Sequence, residues 1–278
     1  MGRIAGATLM DGNKLMLFNP NLMFYLYDVD KMELDTSFTL AYKRGETTGD
    51  YASANIYTNQ YNDMVCRSFE ENILFNVVTD HPDYFIIGNP AGFLNESRHI
   101  REINTKQPDK QRFLAAGYPA SYRENPSQHV IFNGTCFDVD KEGRFWVNYD
   151  TDSLIYVYDR AYHPLATFGY QGKGMNTDYL SIHSPKESQK NYRKERDSKG
   201  WYYWIEYVDE TGVLFRSYRK DQWRDGLQIY EGNTLKEDIE VPKGLRVMGY
   251  VAPYYYSYVV PVMEEEDNSL LLYRFKYK

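Results

Sequence analysis

Cysteine is scarce in this sequence, and neither cysteine stands in a metal-binding or redox spacing. The chain of 278 residues contains Cys66 and Cys136. No C-x-x-C motif and no neighbouring pair of histidines accompanies them, so a zinc site and a redox motif are not supported. We expect two buried free thiols, because unpaired cysteine behaves as a small apolar residue. A single long-range disulfide is the alternative.

Long apolar runs and a secretion signal are also missing. No run approaches the roughly 18 residues that a membrane-spanning helix needs, and residues 1–6 lack the charged and apolar regions of a signal peptide. The glycine at position 6 breaks the myristoylation motif. We therefore expect a soluble chain with no transmembrane segment, whose leader was removed or never existed.

Positive charge does not dominate any long stretch. The formal net charge is −7, and 32 Lys and Arg residues are interspersed with 39 Asp and Glu residues. Nucleic-acid binding needs a basic stripe, so nucleic acid is not expected as a partner. The one locally basic stretch, residues 186–196, also contains Glu187 and Glu195. We predict a solvated loop or edge there.

Helical patterns are absent as well, whereas aromatic residues are abundant. No 3.6-residue apolar pattern persists over three turns, which argues against alternating strands and helices. Aromatic residues make up 17% of the chain and include 28 tyrosines, and aromatic side chains suit a pleated, half-buried surface. The composition predicts an all-β protein. Since β domains often reach this length, we expect a single domain over residues 1–278.

The sequence contains an internal duplication. Residues 11–28, DGNKLMLFNPNLMFYLYD, align with residues 140–159, DKEGRFWVNYDTDSLIYVYD. The offset of about 130 residues is about three times the length of one propeller blade. Further strand pairs are expected at 84–103, 201–218 and 254–275, with a less regular one at 64–78.

These repeats predict a β-propeller of six blades, five of them clear, and allow for an incomplete N-terminal blade. A β-sandwich is the alternative. Twisted propeller blades pack face to face and need large, flat side chains between them. The side chains expected to fill this role are Phe24, Phe145, Trp146, Tyr156, Trp201, Trp204 and Tyr273. Turns are predicted at 11–13, 133–134, 142–143, 225–226 and 243–244.

Three segments resemble a known family. Residues 137–147, FDVDKEGRFWV, followed by residues 155–159, resemble an NHL-type propeller repeat. Residues 168–174, ending at Asp178-Tyr179, are similar to the Gly-rich inter-blade loop of six-bladed, NHL- or TolB-like propellers from Bacteroidetes, although residues 175–178 replace that loop's usual Gly-Pro and Glu. Residues 267–273 are similar to their closing strand.

The resemblance implies an exported propeller, periplasmic or on the cell surface after signal removal. Most members of the family have no assigned function, so it implies no catalytic residue. Composition and repeats alone leave the compartment open.

Motifs for metal and catalysis are weak. Residues 138–143, DVDKEG, look like the start of a calcium loop, but the twelfth position is Tyr149 rather than Glu, and Asp150 and Asp152 compensate little. We predict an ordinary hairpin turn, with calcium as a minor alternative and no other cofactor.

No G-x-S-x-G motif occurs, and we predict no catalytic residue and no metal ligand. The histidines have no ligand spacing and could meet only through the fold: His81, His99, His129, His163 and His183.

Two further features have a structural and a functional interpretation. Gly169, Gly172 and Gly174 superficially suggest a phosphate-binding turn, but without a following helix we predict a tight inter-blade loop. Aromatic residues in expected turns could expose rings for sugar stacking or partner contact, although blade packing is favoured for each. These residues are Tyr118, Tyr122, Trp223, Tyr254, Tyr255 and Tyr256.

The sequence thus favours a monomeric, non-enzymatic binding module. Its ligand would be a protein or a carbohydrate, held by the loop face or the central funnel of the propeller. The rival hypothesis is a metal-dependent propeller hydrolase or lactonase with a cation on the propeller axis. A structural module within a larger assembly is a third.

Overall fold

The computed structural model describes residues 4, 6–19, 23–40, 65–77, 91–259 and 271–277. The chain forms two compact units, Met1–Pro126 and Ser127–Lys278. Strands are numbered β1 to β19 and helices α1 to α3 in chain order. A short 3-10 helix, Pro126–Gln128, stands at the boundary of the two units.

The first unit contains two four-stranded sheets. The first sheet consists of β1 Gly6–Met10, β2 Lys14–Phe18, β3 Met23–Asp28 and β4 Glu33–Thr39. The second consists of β5 Cys66–Phe69, β6 Asn72–Asn76, β7 Arg98–Asn104 and β8 Gln111–Ala116. Two short helices, α1 Ala91–Glu96 and α2 Ala120–Glu124, accompany them.

The second unit contains three sheets and one longer helix. The third sheet consists of β9 Thr135–Val139, β10 Phe145–Tyr149, β11 Ile155–Tyr158 and β12 Pro164–Phe168. Helix α3, Pro185–Ser198, precedes the fourth sheet, which consists of β13 Trp201–Val208, β14 Val213–Arg219, β15 Asp225–Glu231 and β16 Thr234–Val241. The fifth consists of β17 Leu245–Val251, β18 Tyr254–Val259 and β19 Leu271–Phe275.

Every sheet is an antiparallel meander in which strands follow one another in chain order. This is the blade topology that the repeats predict, and it confirms the all-β propeller class with five blades among the described residues. The duplicated segments occupy equivalent places, because β2 and β3 pair in the first sheet as β10 and β11 pair in the third. Phe38 and Phe168 both lie in the fourth strand of their sheets.

Aromatic packing holds each unit together. In the first unit the ring of Phe24 is fully buried and stacks on Phe18 and Phe38, with ring centroids 5.0 Å apart in both pairs. In the second unit the buried ring of Phe215 contacts the ring of Tyr255 at 4.9 Å. In the first unit the second sheet contacts these rings through Phe75 of β6, whose ring centroid lies 5.7 Å from that of Phe18 and 5.9 Å from that of Phe24. Burial of one such side chain contributes about 1.5–3 kcal/mol.

The basic stretch predicted as a loop is instead helix α3. Ser184 caps it, with Oγ accepting a hydrogen bond from the backbone N–H of Glu187 at 3.2 Å, and Pro185 starts the first turn. Its C-terminal end is anchored by two buried residues, Glu195 and Arg196. The prediction was wrong because a helix can dock through polar side chains and show no apolar stripe.

Two other expectations differ from the structure. Residues 64–78, predicted as a sixth and less regular unit, supply β5 and β6, the first two strands of the second sheet. Asp225-Gly226 was predicted as a turn, but these residues begin β15 and are buried. The Asp225 carboxylate accepts hydrogen bonds there from the Tyr203 hydroxyl and the backbone N–H of Gly244. The strand predicted near residue 84 lies outside the described residues.

The predicted packing role of the aromatic residues is largely confirmed. Phe145, Trp146, Trp201 and Trp204 are buried as expected. Tyr273 is not, since 37% of it is exposed on β19, the outer strand of the fifth sheet.

The state of the two cysteines agrees with the sequence prediction. Both Cys66 and Cys136 are buried free thiols, as predicted. Among the described residues, no helix combines the length and the apolar composition needed to cross a bilayer.

Candidate functional site

The first strands of the three sheets in the second unit lie side by side. Strand β13 contacts β9 on one side and β17 on the other. In a propeller the sheets are arranged around a central channel, and these mutual contacts identify β9, β13 and β17 as inner strands. Residues near their C-terminal ends converge on one groove.

The groove has a volume of about 440 Å³. This lies within the range of small-molecule sites, which are concave, largely apolar and carry a few polar groups. Its lining is Asp138, Val139, Glu206, Tyr207, Val208, Asp209, Glu210, Met248, Gly249, Tyr250, Val251 and Tyr256. We call this set the inner-strand groove.

A β-bulge opens one wall of the inner-strand groove. The pairing of β17 with β18 shifts between Val247 and Gly249, which leaves Met248 as the extra residue. Gly249 has φ of 146°, a conformation that other residues rarely adopt, and a Cβ there would meet nothing within 4 Å. The bulge turns Met248 outward, so that 51% of it is exposed.

The opposite wall is held by a ring stack and a hydrogen bond. The ring of Tyr207 stacks flat on Trp146, with centroids 4.4 Å apart and an interplanar angle of 9°. The guanidinium of Arg144 lies 5.9 Å from the Tyr207 ring centroid and 5.7 Å from that of Trp146. The backbone N–H of Tyr207 donates to Asp138 Oδ2 at 2.6 Å. These contacts fix both Tyr207 and the Asp138 carboxylate.

The turn after β13 adds two carboxylates. Asp209 Oδ2 accepts a hydrogen bond from the backbone N–H of Lys141 at 3.0 Å. Burial raises the pKa of Asp209, and the nearby carboxylates of Asp140 and Glu142 raise it further, whereas the hydrogen bond from Lys141 lowers it. Glu210 is exposed at the groove.

The DVDKEG segment forms the hairpin turn that the sequence predicts. Asp140 lies at its start and accepts hydrogen bonds from Arg144 Nε at 2.6 Å and from Trp146 Nε1 at 2.9 Å. It also accepts the backbone N–H groups of Glu142 and Arg144. Its carboxylate is therefore occupied in closing the turn between β9 and β10.

Asp140, Glu142 and Asp209 place their oxygens within 4.8 Å of one another. In the described part of the chain this is the one group of three side chains with metal-ligand spacing, and it contains no histidine. Asp150 and Asp152 serve elsewhere: Asp150 pairs with Arg196, and Asp152 accepts from Leu154 N–H and the Tyr156 hydroxyl. His81 lies outside the described residues.

The glycine loop after β12 is a tight connection, as predicted. Gly169 has φ of 144°, and a Cβ on it would collide with the backbone of Ser153. A Cβ on Gly172 would collide with the ring of Tyr218. Helix α3 begins at Pro185, well after the loop, so the glycines do not form its N-terminus.

The predicted exposed aromatics divide into two groups. Trp223 is 77% exposed in the turn between β14 and β15. Tyr118 and Tyr122 are buried, stacked on each other at 5.0 Å, so the interpretation as exposed rings is wrong for them. Tyr255 is also buried, whereas the half-buried Tyr256 lines the inner-strand groove.

Of the groove residues, sequence reasoning singled out Tyr256 as a candidate contact and missed Tyr207, Glu210 and Met248. The available signal was Gly249, because a glycine inside a strand pattern often marks a bulge. Nothing in the spacing of the sequence connects residues near 138, 207 and 248.

No family model matches this chain, and no curated protein sequence matches it. Among solved structures, it is similar to a member of the DUF4221 family from Bacteroides vulgatus, with a TM-score of 0.65, 11% identity, and coverage of 100% of this chain and 80% of that one. It also aligns with the β-propeller domain of Cps50 (Swd1) from Myceliophteria thermophila, with a TM-score of 0.42, 11% identity, and coverage of 100% of this chain and 73% of that chain. The first likeness supports the fold alone, an all-β propeller.

Proposed function

We propose that this chain is a non-enzymatic binding module that takes a protein or carbohydrate ligand in the inner-strand groove. One observation carries the proposal: an open groove of about 440 Å³ combines half-exposed apolar side chains with tyrosine rings. Val251 is 67% exposed and Met248 is 51% exposed. Tyrosine and methionine are enriched where proteins bind partners, and tyrosine rings can also stack on sugars.

The fold supports the same proposal. Propellers present loops and the ends of inner strands around a central channel, and the inner-strand groove lies on three such strands. We also propose that the blades are NHL- or TolB-like and that the propeller has a sixth blade. Fold alone does not assign a function, so the proposal depends on the groove.

The rival hypothesis is still a metal-dependent hydrolase. The acidic group near the groove, Asp140, Glu142 and Asp209, gives it little support. Asp140 already accepts four hydrogen bonds from its own hairpin, and Glu142 is paired with Arg144 at 3.2 Å. A stoichiometric calcium or zinc ion that is lost in Asp209→Asn would favour the rival.

The test compares the wild type with two matched variants. Met248→Asp places a charge in the groove, and Ile239→Asp places one on β16 at a side chain that is 42% exposed. A glycan array and a peptide-display library are screened with all three proteins. We expect a ligand that the wild type and Ile239→Asp retain and that Met248→Asp loses. Equal binding by Met248→Asp, or no ligand combined with turnover of an ester or lactone, would overturn the proposal.

A further inference from the structure

We propose that the solvent-facing side of helix α3 is a docking surface for an extended, acidic segment of a partner protein, with Asp or Glu at alternate positions. No residue of α3 belongs to the lining of the inner-strand groove, so this surface is separate from the proposed binding groove. The proposal follows from the charge of the helix, from its anchoring and from the spacing of its cations.

Four exposed cations stand on one face of α3. They occupy positions i, i+4, i+7 and i+8, which share one face of an α-helix. The side chains that the helix buries, Glu195 and Arg196, lie on the other side. We call the four cations the basic face, and its members are Lys186, Lys190, Arg193 and Lys194.

The basic face has few counter-charges. Among the described residues, none forms an ion pair with the lysines of this face. Arg193 Nε lies 3.8 Å from Asp197 Oδ2, in an exposed pair that contributes little. The carboxylate of Glu187 accepts a hydrogen bond from the backbone N–H of His183 at 2.8 Å. An excess of positive charge therefore stands on a chain whose net charge is −7.

This arrangement of charge works against the helix itself. Like charges four residues apart destabilise a helix, and Lys190 has such a neighbour on each side, Lys186 and Lys194. Lys186 also lies in the first turn, where the helix dipole favours anions over cations. Residues that oppose their local structure are expected where function requires them. An anionic ligand would relieve both conflicts.

Helix α3 is anchored at its C-terminal end to two sheets of the second unit. Arg196 forms a buried ion pair with Asp150, which follows β10 of the third sheet. Trp201 Nε1, at the start of β13, donates to the Arg196 carbonyl at 3.1 Å. Asn176 Nδ2 donates to the Ser198 carbonyl at 3.1 Å. Because the helix is already held in place, a ligand would not have to order it on binding.

The spacing of the cations matches an extended segment. Residues four apart in a helix are separated by about 6 Å along its axis, and alternate residues of an extended strand by about 6.5 Å. A segment with carboxylates at alternate positions can therefore place one beside each lysine of the basic face.

The composition of the basic face argues against two other anionic partners. No apolar side chain of α3 stands on this face, so it lacks the anchor that a helix needs to insert into a lipid surface. The one aromatic residue of the helix, Tyr192, lies off this face. The bases of a single-stranded nucleic acid would therefore find no ring of α3 on which to stack.

The experiment uses the whole chain and two fluorescein-labelled peptides of equal length. The first alternates Glu with Ser, and the second replaces every Glu with Gln. Fluorescence anisotropy at low ionic strength gives the affinity of each. We expect the Glu peptide to bind wild type at least about tenfold more tightly than the Gln peptide. Added salt should reduce this difference, because it screens exposed charges.

Two variants with the same change in net charge locate the effect. Lys190→Glu acts at the centre of the basic face, and Lys110→Glu acts on an exposed lysine in the turn between β7 and β8 of the first unit. We expect Lys190→Glu to weaken binding of the Glu peptide by about tenfold or more, and Lys110→Glu by less than about twofold. Glu at position 190 forms favourable pairs with Lys186 and Lys194, so the helix should persist, as far-UV circular dichroism can check.

The outcomes separate this proposal from the function of the inner-strand groove. Met248→Asp should change the affinity for the Glu peptide by less than about twofold, and a loss as large as that in Lys190→Glu would overturn the proposal. Equal losses in Lys190→Glu and Lys110→Glu, or equal affinities for the two peptides, would also overturn it. So would tighter binding of a thymidine oligonucleotide or a sulfated oligosaccharide that depends on Lys190, because the partner would then be another class of polyanion.

Discussion

Loss of the Arg216 side chain should strongly destabilise the second unit. Its guanidinium is completely buried and donates to three backbone or side-chain oxygens of the third sheet and its loops: Asn148 Oδ1 at 3.2 Å, Ser153 O at 2.9 Å and Tyr170 O at 2.7 Å. It also donates to Gln228 Oε1 at 2.9 Å and to the Tyr230 hydroxyl at 3.0 Å. The centroid of the Tyr202 ring lies 4.0 Å from Arg216 Cζ.

Arg216→Met keeps much of the volume but removes every donor. Asn148 Oδ1 and the carbonyl oxygen of Ser153 would each lose a buried donor, and each such loss costs about 1–3 kcal/mol. The carbonyl oxygen of Tyr170 keeps two other donors, the Tyr202 hydroxyl and the Gln228 amide. Methionine carries no charge, so the variant avoids the desolvation penalty of burying a guanidinium, and this offsets part of the loss. We expect a net loss of about 3 kcal/mol in the free energy of unfolding.

Urea unfolding followed by tryptophan fluorescence measures this loss directly. All four tryptophans, Trp146, Trp201, Trp204 and Trp223, belong to the second unit, so the signal reports that unit. A loss of about 3 kcal/mol should lower the urea midpoint by about 1–2 M. Arg224→Met is the control, because its pair with Asp221 is exposed and worth at most about 1 kcal/mol. A change below about 1 kcal/mol for Arg216→Met would refute the reasoning.

Three further predictions concern single residues. Gly172→Ala should destabilise the second unit by about 1–3 kcal/mol in the same urea assay, because the new Cβ collides with the Tyr218 ring, and an unchanged midpoint would contradict the packing. Burial raises the pKa of the Cys66 thiol to about 12, so Ellman's reagent should find no fast thiol at Cys66 in the native chain and two thiols in urea; none in urea would indicate a disulfide. Burial lowers the pKa of His99 to about 3, so its ring signals in NMR should not titrate between about pH 8 and about pH 5. Because the unfolded chain binds that proton below about pH 6.5, stability that His99 contributes at neutral pH should be lost as the pH falls from about 6.5 to about 3.

The fold could be predicted where the information is local and repeated. The duplication of residues 11–28 at 140–159 identified equivalent strand pairs because the same turn and aromatic positions recur in both copies. Helix α3 was missed although Ser184 and Glu187 form a capping-box spacing, S-x-x-E, with Pro185 at the first helical position. Apolar periodicity does not identify this helix, because the side chains that it buries are Glu195 and Arg196.

The candidate site could not be predicted, because it depends on long-range convergence. Asp138, Tyr207 and Met248 come from three different sheets, and only the contacts of β13 with β9 and β17 bring those strands together. The network of Arg216 has the same character, since its partners lie on β10, β15 and two loops. The burial of Tyr118 and Tyr122 could not be predicted from the local sequence either. That sequence resembles a turn, but the two rings are buried and stack on each other.

Hydrogen–deuterium exchange of the whole chain, with and without a ligand that the wild type and Ile239→Asp bind, is the most direct test of the proposed binding function. The proposal predicts slower exchange on ligand addition in two segments, residues 206–210 and 248–251, and no such change in Met248→Asp. Protection confined to residues 220–224 around Trp223 would contradict it.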